Sequence, residues 1–591
     1  MIEEAAPGVA VVRDTCNVYV LRNGREGVAV DFGAGAVLDR LDELGIDRIT
    51  DVLVTHHHRD QVQGLARAAA HGARIWVPPL EEHLIARVDL HWQSRGIDRD
   101  YDLTDDRFSL REQVPVTGPV AEYRTVSVGG LDVYTLPTPG HTIGSVTYLV
   151  DVAGTRLAFT GDLVYGDGQL WSLAATQWTY SGTEGQTATV ESAYVLGGHS
   201  PAALLPSHGP VIDAPEQSLE SVQQRLIELI ELRLGVPSGL RKRLAEPFDE
   251  ISPHLLRNRW SFANSHVLLS ESGAALLFDF GYDSAPWQRP LLWTIDALKE
   301  QYGVERVDAV VTTHYHDDHV AGVNLLRDTE GTQVWSPANV APVLEEPDRY
   351  DVPCLWPEPI PVDRVLELRT PFTWREYELT AYPFPGHTLY AAAIAFDADG
   401  KRVVATGDQY AFEADGRTLA NYQYRNRFRR GDFSTTAQLL AELQPEIVIS
   451  GHWFPHTLDA EALASLQPVG ERVCALHDQL LPVESFGEEG FGARIEPYRS
   501  TVEPGGSVEL EVTVHNPFPQ SERAQVGLAL PSGFTASPQS EDVELSPHGD
   551  GAVRFVVRAP SEPVRRARVA ADLTVGDRRF GEQAEALIDV A

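Results

Sequence analysis

The first part of the chain, to about residue 480, contains a long internal repeat, and such a repeat constrains the fold more than any other feature. Four landmarks recur in the same order: Asp-Phe-Gly at 31–33 and 279–281, a histidine-rich run at 55–61 and 313–319, Pro-Gly-His-Thr at 139–142 and 385–388, and Thr-Gly-Asp at 160–162 and 406–408. His141 and Asp162 are 21 residues apart, and so are His387 and Asp408. The shared order and spacing predict a duplicated domain.

Within each copy, strand-like runs alternate with helix-like runs. The β-rich runs 49–55 and 309–313 lead directly into histidines, and residues 220–234 have the periodicity of an amphipathic helix. Pro237, Gly239 and Pro247 indicate a connector between the copies. We therefore predict two α/β (α+β) domains in tandem.

The pattern changes after about residue 482, where helical signals end. Residues 507–515 alternate strictly between apolar and polar side chains, and 551–558 and 567–575 are similar runs separated by Pro and Gly turns. Short strands at this spacing predict an immunoglobulin-like β-sandwich. The predicted organisation is a first copy at 1–235, a linker at 236–250, a second copy at 251–482 and the sandwich at 483–591.

The bulk properties of the chain exclude two classes of partner. A net charge of −37 argues against nucleic acid, because the phosphate backbone would be repelled. No stretch approaches the roughly 20 apolar residues that span a bilayer, so we expect no membrane partner. The three scattered cysteines and the lack of an export signal at the start of the chain predict a cytoplasmic location. The oligomeric state is not predicted.

In the second copy, the residues that carry chemistry are histidines and aspartates next to glycines. His314, His316, Asp318 and His319 follow a β-rich run, while His387, Asp408 and His452 each come directly after a glycine. Imidazole and carboxylate are the usual ligands of zinc and similar divalent ions. Because glycine lets the backbone turn sharply, short side chains from separate strand ends can reach one centre. The sequence therefore predicts a metal site.

This set closely resembles the metallo-β-lactamase superfamily, and the resemblance covers both copies. It implies an αββα sandwich whose ligands lie on loops at one edge. It also implies that His314, His316 and His387 hold a first metal, that Asp318, His319 and His452 hold a second, and that Asp408 bridges both. We expect two zinc ions in this copy, although iron and manganese also occupy such sites.

The first copy departs from the family motif at Gln61, which stands where the second copy has His319. The residues that remain are His56, His58 and His141 for a first metal, with Asp60, Asp162 and His208 around a second. Three interpretations stay open: a one-metal or altered two-metal active site, a metal site with only a structural role, and a decayed domain that supports the second copy. His57 is expected to face away from the site, and His199 is a weaker alternative to His208.

The resemblance implies a metal-dependent hydrolase acting on a small-molecule ester, thioester, lactone, amide or phosphoester. A hydroxide shared by two metals would attack a carbonyl or phosphorus centre, and Asp318 would orient it as the catalytic residue. Two alternatives remain. One is an iron-dependent dioxygenase of the persulfide type on the same scaffold, and the other is a non-catalytic metal-binding scaffold protein.

A segment between Asp408 and His452 is a candidate for the substrate pocket. Tyr422, Tyr424, Arg425 and Arg427 could hold an anionic group, because guanidinium contacts to anions can be bidentate. A solvated or subunit-contacting face is the plain alternative. The corresponding segment of the first copy carries other side chains, namely Trp171, Trp178 and Tyr180. If both segments line pockets, the two copies act on different substrates.

Overall fold

A computed structural model describes residues 2–98, 106–173, 176, 184–285, 292–413, 417–482, 485–486 and 491–591. It separates into two compact units. The first comprises Met1–Pro247 with a short segment that begins at Asp283. The second comprises Phe248–Tyr282 and most of the chain that follows, to Ala591. None of the helices described is long and apolar enough to cross a bilayer.

The first copy is built on two sheets. The seven-stranded sheet contains, in order, Ile2–Ala6, Val9–Arg13, Asn17–Asn23, Glu26–Val30, Arg48–Leu53, Arg74–Val77 and Gly118–Pro119. The five-stranded sheet contains Ala203–Pro206, Thr155–Gly161, Val146–Val152, Leu131–Pro137 and Thr125–Val128. Their inner faces share one core, in which Tyr19 and Phe159 meet edge to face at 5.5 Å between ring centroids. Alternating side chains on facing sheets account for this layer.

Helices cover the sheets of the first copy. They are Leu41–Leu44, Arg59–Val62, Leu65–Ala70, His83–Ala86, Val88–Ser94, Glu184–Gly198, Pro215–Leu234 and Leu240–Ala245. The helix predicted at 220–234 is confirmed and begins five residues earlier, at Pro215, where proline suits the first turn. Gly235 ends it in the left-handed conformation, with φ 72°. The short helix Leu240–Ala245 lies inside the segment predicted as a linker.

The second copy repeats this arrangement. Its seven-stranded sheet contains Phe248–Ser252, Leu255–Asn258, His266–Leu269, Ala274–Phe278, Arg306–Val311, Gln333–Pro337 and Arg364–Leu366. Its six-stranded sheet contains Pro371–Trp374, Tyr377–Pro383, Ala392–Ala398, Lys401–Ala405, Ile447–Ile449 and His456–Thr457. Phe278 and Phe396 stack between the sheets at 5.0 Å. The helices are Trp293–Tyr302, Asp317–Val320, Val323–Glu330, Ala341–Glu345, Asp432–Leu443 and Ala460–Leu480.

The C-terminal region is all β, as predicted. One sheet contains Ala493–Glu496, Ser507–His515, Asp550–Arg558 and Thr535–Ser537, and the other contains Arg499–Val502, Arg578–Val590, Val564–Val575, Glu522–Ala529 and Ser540–Leu545. Buried apolar residues from both sheets, including Val512, Phe555 and Leu573, form a single core. Strict alternation along Ser507–His515 places one face of that strand in this core.

Candidate metal centres

The predicted ligands of the second copy come from the carboxyl ends of neighbouring strands. His314 and His316 follow Arg306–Val311, and His319 lies in the short helix Asp317–Val320. His387 follows the strand Tyr377–Pro383. Asp408 follows Lys401–Ala405, and His452 follows Ile447–Ile449. Parallel pairing of Lys401–Ala405 with Ile447–Ile449 brings two of these strand ends to the same edge.

Asp408 lies at the middle of the group. Its Oδ2 is 4.0 Å from Nε2 of His314, 3.7 Å from Nε2 of His387 and 3.2 Å from Nε2 of His452. Its Oδ1 is 3.4 Å from Nε2 of His319. One carboxylate therefore faces histidines of both ligand sets that the family resemblance implies.

Three groups of side chains in the second copy have ligand atoms within 4.8 Å of one another. Two of them match the implied ligand sets, namely His314, His316, His387 and Asp408, and Asp318, His319 and His452. The third, Asp279, His314 and His319, overlaps both. Within the described part of the chain, Nε2 of His314 and Nε2 of His319, which both face Asp408, are buried without a hydrogen-bond partner. Buried polar atoms almost always have a partner. These orphaned nitrogens therefore fit a cation.

Second contacts hold these imidazoles in orientation. In three of the histidines, the Nδ1 nitrogen faces away from the centre and has a hydrogen-bond partner. His314 Nδ1 lies 3.1 Å from Thr313 Oγ1, and His319 Nδ1 lies 2.8 Å from Asp279 Oδ2. His387 Nδ1 lies 2.9 Å from the carbonyl oxygen of Asn421. Such partners set the tautomer and leave Nε2 for a metal.

The charges of the group favour a bound cation. Burial lowers the pKa of His316 to about 3, so this imidazole is neutral. Burial also lowers the pKa of His452, but Asp408 and Asp318 outweigh that effect and raise it to about 9. Burial would raise the pKa of Asp408, but the charges of His319 and His452 hold it well below its usual range. A divalent ion would displace the protons of these histidines.

In the first copy, three histidines form a similar group. Nε2 of His141 is 2.9 Å from Nδ1 of His58, and His56 Nε2 and His141 Nε2 are 3.6 and 3.5 Å from Asp162 Oδ2. Among the residues that the structure describes in this copy, His56, His58 and His141 are the one set of three or more whose ligand atoms all lie within 4.8 Å of one another. Burial lowers the pKa of each of them, which keeps them neutral.

The other candidates of the first copy bond to one another. His208 Nδ1 is 2.8 Å from Asp162 Oδ1, and His208 Nε2 is 3.1 Å from Asp60 Oδ2. Gln61 donates from Nε2 to Asp162 Oδ2 at 3.3 Å, while its own oxygen is buried with no partner in the described structure. Two of the three groups that would hold a second metal are thus tied together through His208.

A cavity of about 360 Å³ adjoins the histidines of the first copy. Its lining includes His58, His141, Asp162 and Phe108, together with Trp171. The Trp171 ring stacks on His208 at 4.1 Å with an interplanar angle of 6°. Trp178 and Tyr180 lie outside the described residues. His57 turns away toward Glu81, and His199 contacts Tyr134 instead of the site.

The aromatic and basic residues proposed for the second pocket separate into two groups. Tyr424 donates to or accepts from His477 Nε2 at 3.2 Å, and Tyr422 also packs on His477, in the helix Ala460–Leu480. Arg425 and Arg427 instead bind Asp351 and help to line a cavity of about 410 Å³. The tyrosines pack on the helix, whereas the arginines line this cavity together with residues of the C-terminal region such as Tyr498 and Glu585.

Three positioning residues were not singled out in the sequence. Asp279 accepts from Thr313 N at 2.7 Å and holds His319, and Asp31 occupies its place in the first copy. Glu81 is buried and accepts from His57 N at 2.7 Å and Gly144 N at 3.0 Å. The repeated Asp-Phe-Gly landmark was a signal for the aspartates, whereas nothing in the sequence indicated Glu81.

The profile of the metallo-beta-lactamase superfamily matches residues 11–221 and 258–452, which is more than half of the chain. The chain therefore belongs to the metallo-β-lactamase superfamily, with two such domains in tandem. The predicted family, fold class and metallo-hydrolase class are confirmed, and the His and Asp groups can hold metal ions.

Several relatives are hydroxyacylglutathione hydrolases. That of Pseudomonas savastanoi pv. phaseolicola is 28% identical over 235 residues, which are 38% of this chain and 78% of the relative. That of Methylobacterium nodulans is 34% identical over 133 residues, 22% of this chain and 40% of the relative. Solved structures with a similar fold include a metallo-β-lactamase from Novosphingobium pentaromativorans, at 19% identity and a TM-score of 0.32, covering 40% of this chain and 92% of that one.

Proposed function

We propose that the second copy, residues 251–482, is the principal active site and that it hydrolyses a small-molecule thioester with two zinc ions. The observation that carries the proposal is the convergence of three buried histidines and Asp408 beside a second group, Asp318, His319 and His452. The relatives named hydroxyacylglutathione hydrolase favour a thioester among the bonds that this superfamily cleaves.

Divalent ions, when bound, polarise the bond to be cleaved and supply an activated water. The protein contributes ligands and orientation. His314, His316 and His387 would hold one ion, Asp318, His319 and His452 the other, and Asp408 would face both.

Asp318 is the group that we propose to handle the proton of the attacking water. Its Oδ2 lies 3.1 Å from His452 Nε2, and its side chain keeps 17% of its surface exposed, whereas that of Asp408 keeps 5%. Asp318 is therefore the carboxylate of the pair that an incoming substrate can reach. The Arg425–Arg427 segment would bind an anionic part of that substrate.

The test combines metal analysis with a substrate panel. Zinc-loaded chain is assayed with a hydroxyacylglutathione thioester, an ester, a lactone and a phosphodiester, alongside His314→Ala/His316→Ala and the matched pair His56→Ala/His58→Ala. We expect thioester cleavage that is lost with the first pair and kept with the second. No hydrolysis by folded, metal-loaded wild type would overturn the proposal, and oxygen uptake with a persulfide would indicate the dioxygenase alternative.

A further inference from the structure

Gly451 precedes His452 in the second copy and can carry no side chain. A Cβ at this position would lie 1.9 Å from Asp408 Oδ1 and 2.5 Å from Cε1 of His319. Both distances are far below van der Waals contact, and both neighbours are buried. A side chain at 451 would therefore push the Asp408 carboxylate and the His319 imidazole out of these positions.

The first copy has Ser207 at the corresponding position, directly before His208. Ser207 is buried, and its hydroxyl donates to Asp31 Oδ2. In the second copy the equivalent carboxylate, Asp279, bonds the His319 imidazole instead. The serine hydroxyl thus takes the place of the imidazole as partner of this carboxylate, since position 61 carries glutamine instead of histidine.

The remaining side chains of the first copy do not converge on a second ion. In the second copy a single nitrogen, His452 Nε2, faces Asp318 Oδ2 at 3.1 Å and Asp408 Oδ2 at 3.2 Å. In the first copy His208 turns one nitrogen to Asp162 and the other to Asp60. In this orientation of the His208 ring, the two carboxylate oxygens lie on opposite sides of it and do not share one ion with it. Trp171, stacked on His208, covers the same ring.

We infer that the first copy holds one metal ion, on His56, His58 and His141, and that Gln61 and Ser207 together close the second metal position. Three histidines with an open fourth position are a known arrangement for a single catalytic zinc. The inference rests on the proposed metal-binding function. Its particular consequence is that neither residue alone controls the second position: an imidazole at 61 meets the Ser207 side chain, and glycine at 207 leaves no ligand at 61.

The test counts zinc per full-length chain by elemental analysis after equilibrium dialysis. We expect about three ions for wild type, for Gln61→His and for Ser207→Gly, and about four for Gln61→His/Ser207→Gly. Gln61→His/Ser207→Ala is the matched control: it removes the hydroxyl but keeps the Cβ, so it should stay at three. Circular dichroism of every variant verifies that each is folded.

Each outcome separates this inference from the proposed function. Four ions in wild type, or a fourth ion gained by Gln61→His alone, would show that Ser207 does not close the position. A folded double variant that stays at three would also overturn the inference. Two ions that disappear with His314→Ala/His316→Ala would leave the hydrolase proposal intact but show that the first copy holds none. No zinc in wild type would overturn both.

Discussion

Replacing Asp279 by asparagine should weaken one metal position of the second copy while leaving the fold in place. The carboxylate is buried and accepts from Thr313 N at 2.7 Å, from Thr313 Oγ1 at 2.6 Å and from His319 Nδ1 at 2.8 Å. Asparagine has the same shape but only one acceptor oxygen. If that oxygen stays with Thr313 N, the amide NH₂ faces His319.

The substitution changes the tautomer of His319. Nδ1 then accepts from the amide, so the proton moves to Nε2, the nitrogen that lies 3.4 Å from Asp408 Oδ1. A protonated Nε2 cannot bind a metal. Loss of such an outer partner typically lowers metal affinity about 10–100-fold, which corresponds to about 1.4–2.7 kcal/mol.

The assay is a competition titration of zinc against a chromophoric chelator, in a His56→Ala/His58→Ala background that removes the first copy's ion. We expect the weaker of the two remaining dissociation constants to rise by the factor given above. Asp31→Asn, in the wild-type background, is the matched control, since that carboxylate bonds Thr55 and Ser207. Unchanged affinity in a folded Asp279→Asn chain would refute the role assigned to Asp279.

Three further outcomes are expected. The pKa of His452 is raised to about 9 and that of His319 is also raised, so protons compete with metal for both imidazoles. The zinc affinity of the second copy should therefore increase about 10–100-fold per pH unit between about pH 6 and 8. Isothermal titration calorimetry that shows no pH dependence would contradict this. Glu81→Gln should cost about 1–3 kcal/mol of unfolding free energy by removing a buried charged acceptor, seen as a lower calorimetric Tm of the first unit, with Glu82→Gln unaffected. Gly451→Ala should displace Asp408 and lose at least one zinc ion by elemental analysis, whereas Ser207→Ala should lose none.

Much of the architecture was predictable because the repeat provides two different sequences for the same domain. Glycine next to His387, Asp408 and His452 indicated sharp turns at strand ends, and the structure brings these side chains together. Alternation in Ser507–His515 predicted a strand of the sandwich, and the structure has it with the same bounds. Each of these signals involves residues that are close in the sequence, so it can be recognised without the structure.

What the sequence did not reveal depends on contacts between distant segments. Glu81 bonds His57 and Gly144, which are 24 and 63 positions away, and no pattern joins them. Tyr422 and Tyr424 pack on a histidine more than 50 residues later, and no local pattern indicated that contact. The substitution at Gln61 was visible, but its link to Ser207 depends on a distance between side chains. The roles assigned to the metal ligands and to the four substrate-binding candidates, Tyr422, Tyr424, Arg425 and Arg427, stay predictions.

The glycine at 451 also imposes an order of events on the history of the duplication. While an imidazole occupies position 319, any side chain at 451 collides with it, so the serine-bearing copy can arise from the other only if histidine is lost before serine is gained. The reverse route must shed the serine first. Each path passes through a glutamine–glycine intermediate, for which the inference above expects a single metal ion. The order of the two substitutions is therefore fixed in each direction, and a single point mutation cannot interconvert the two sites.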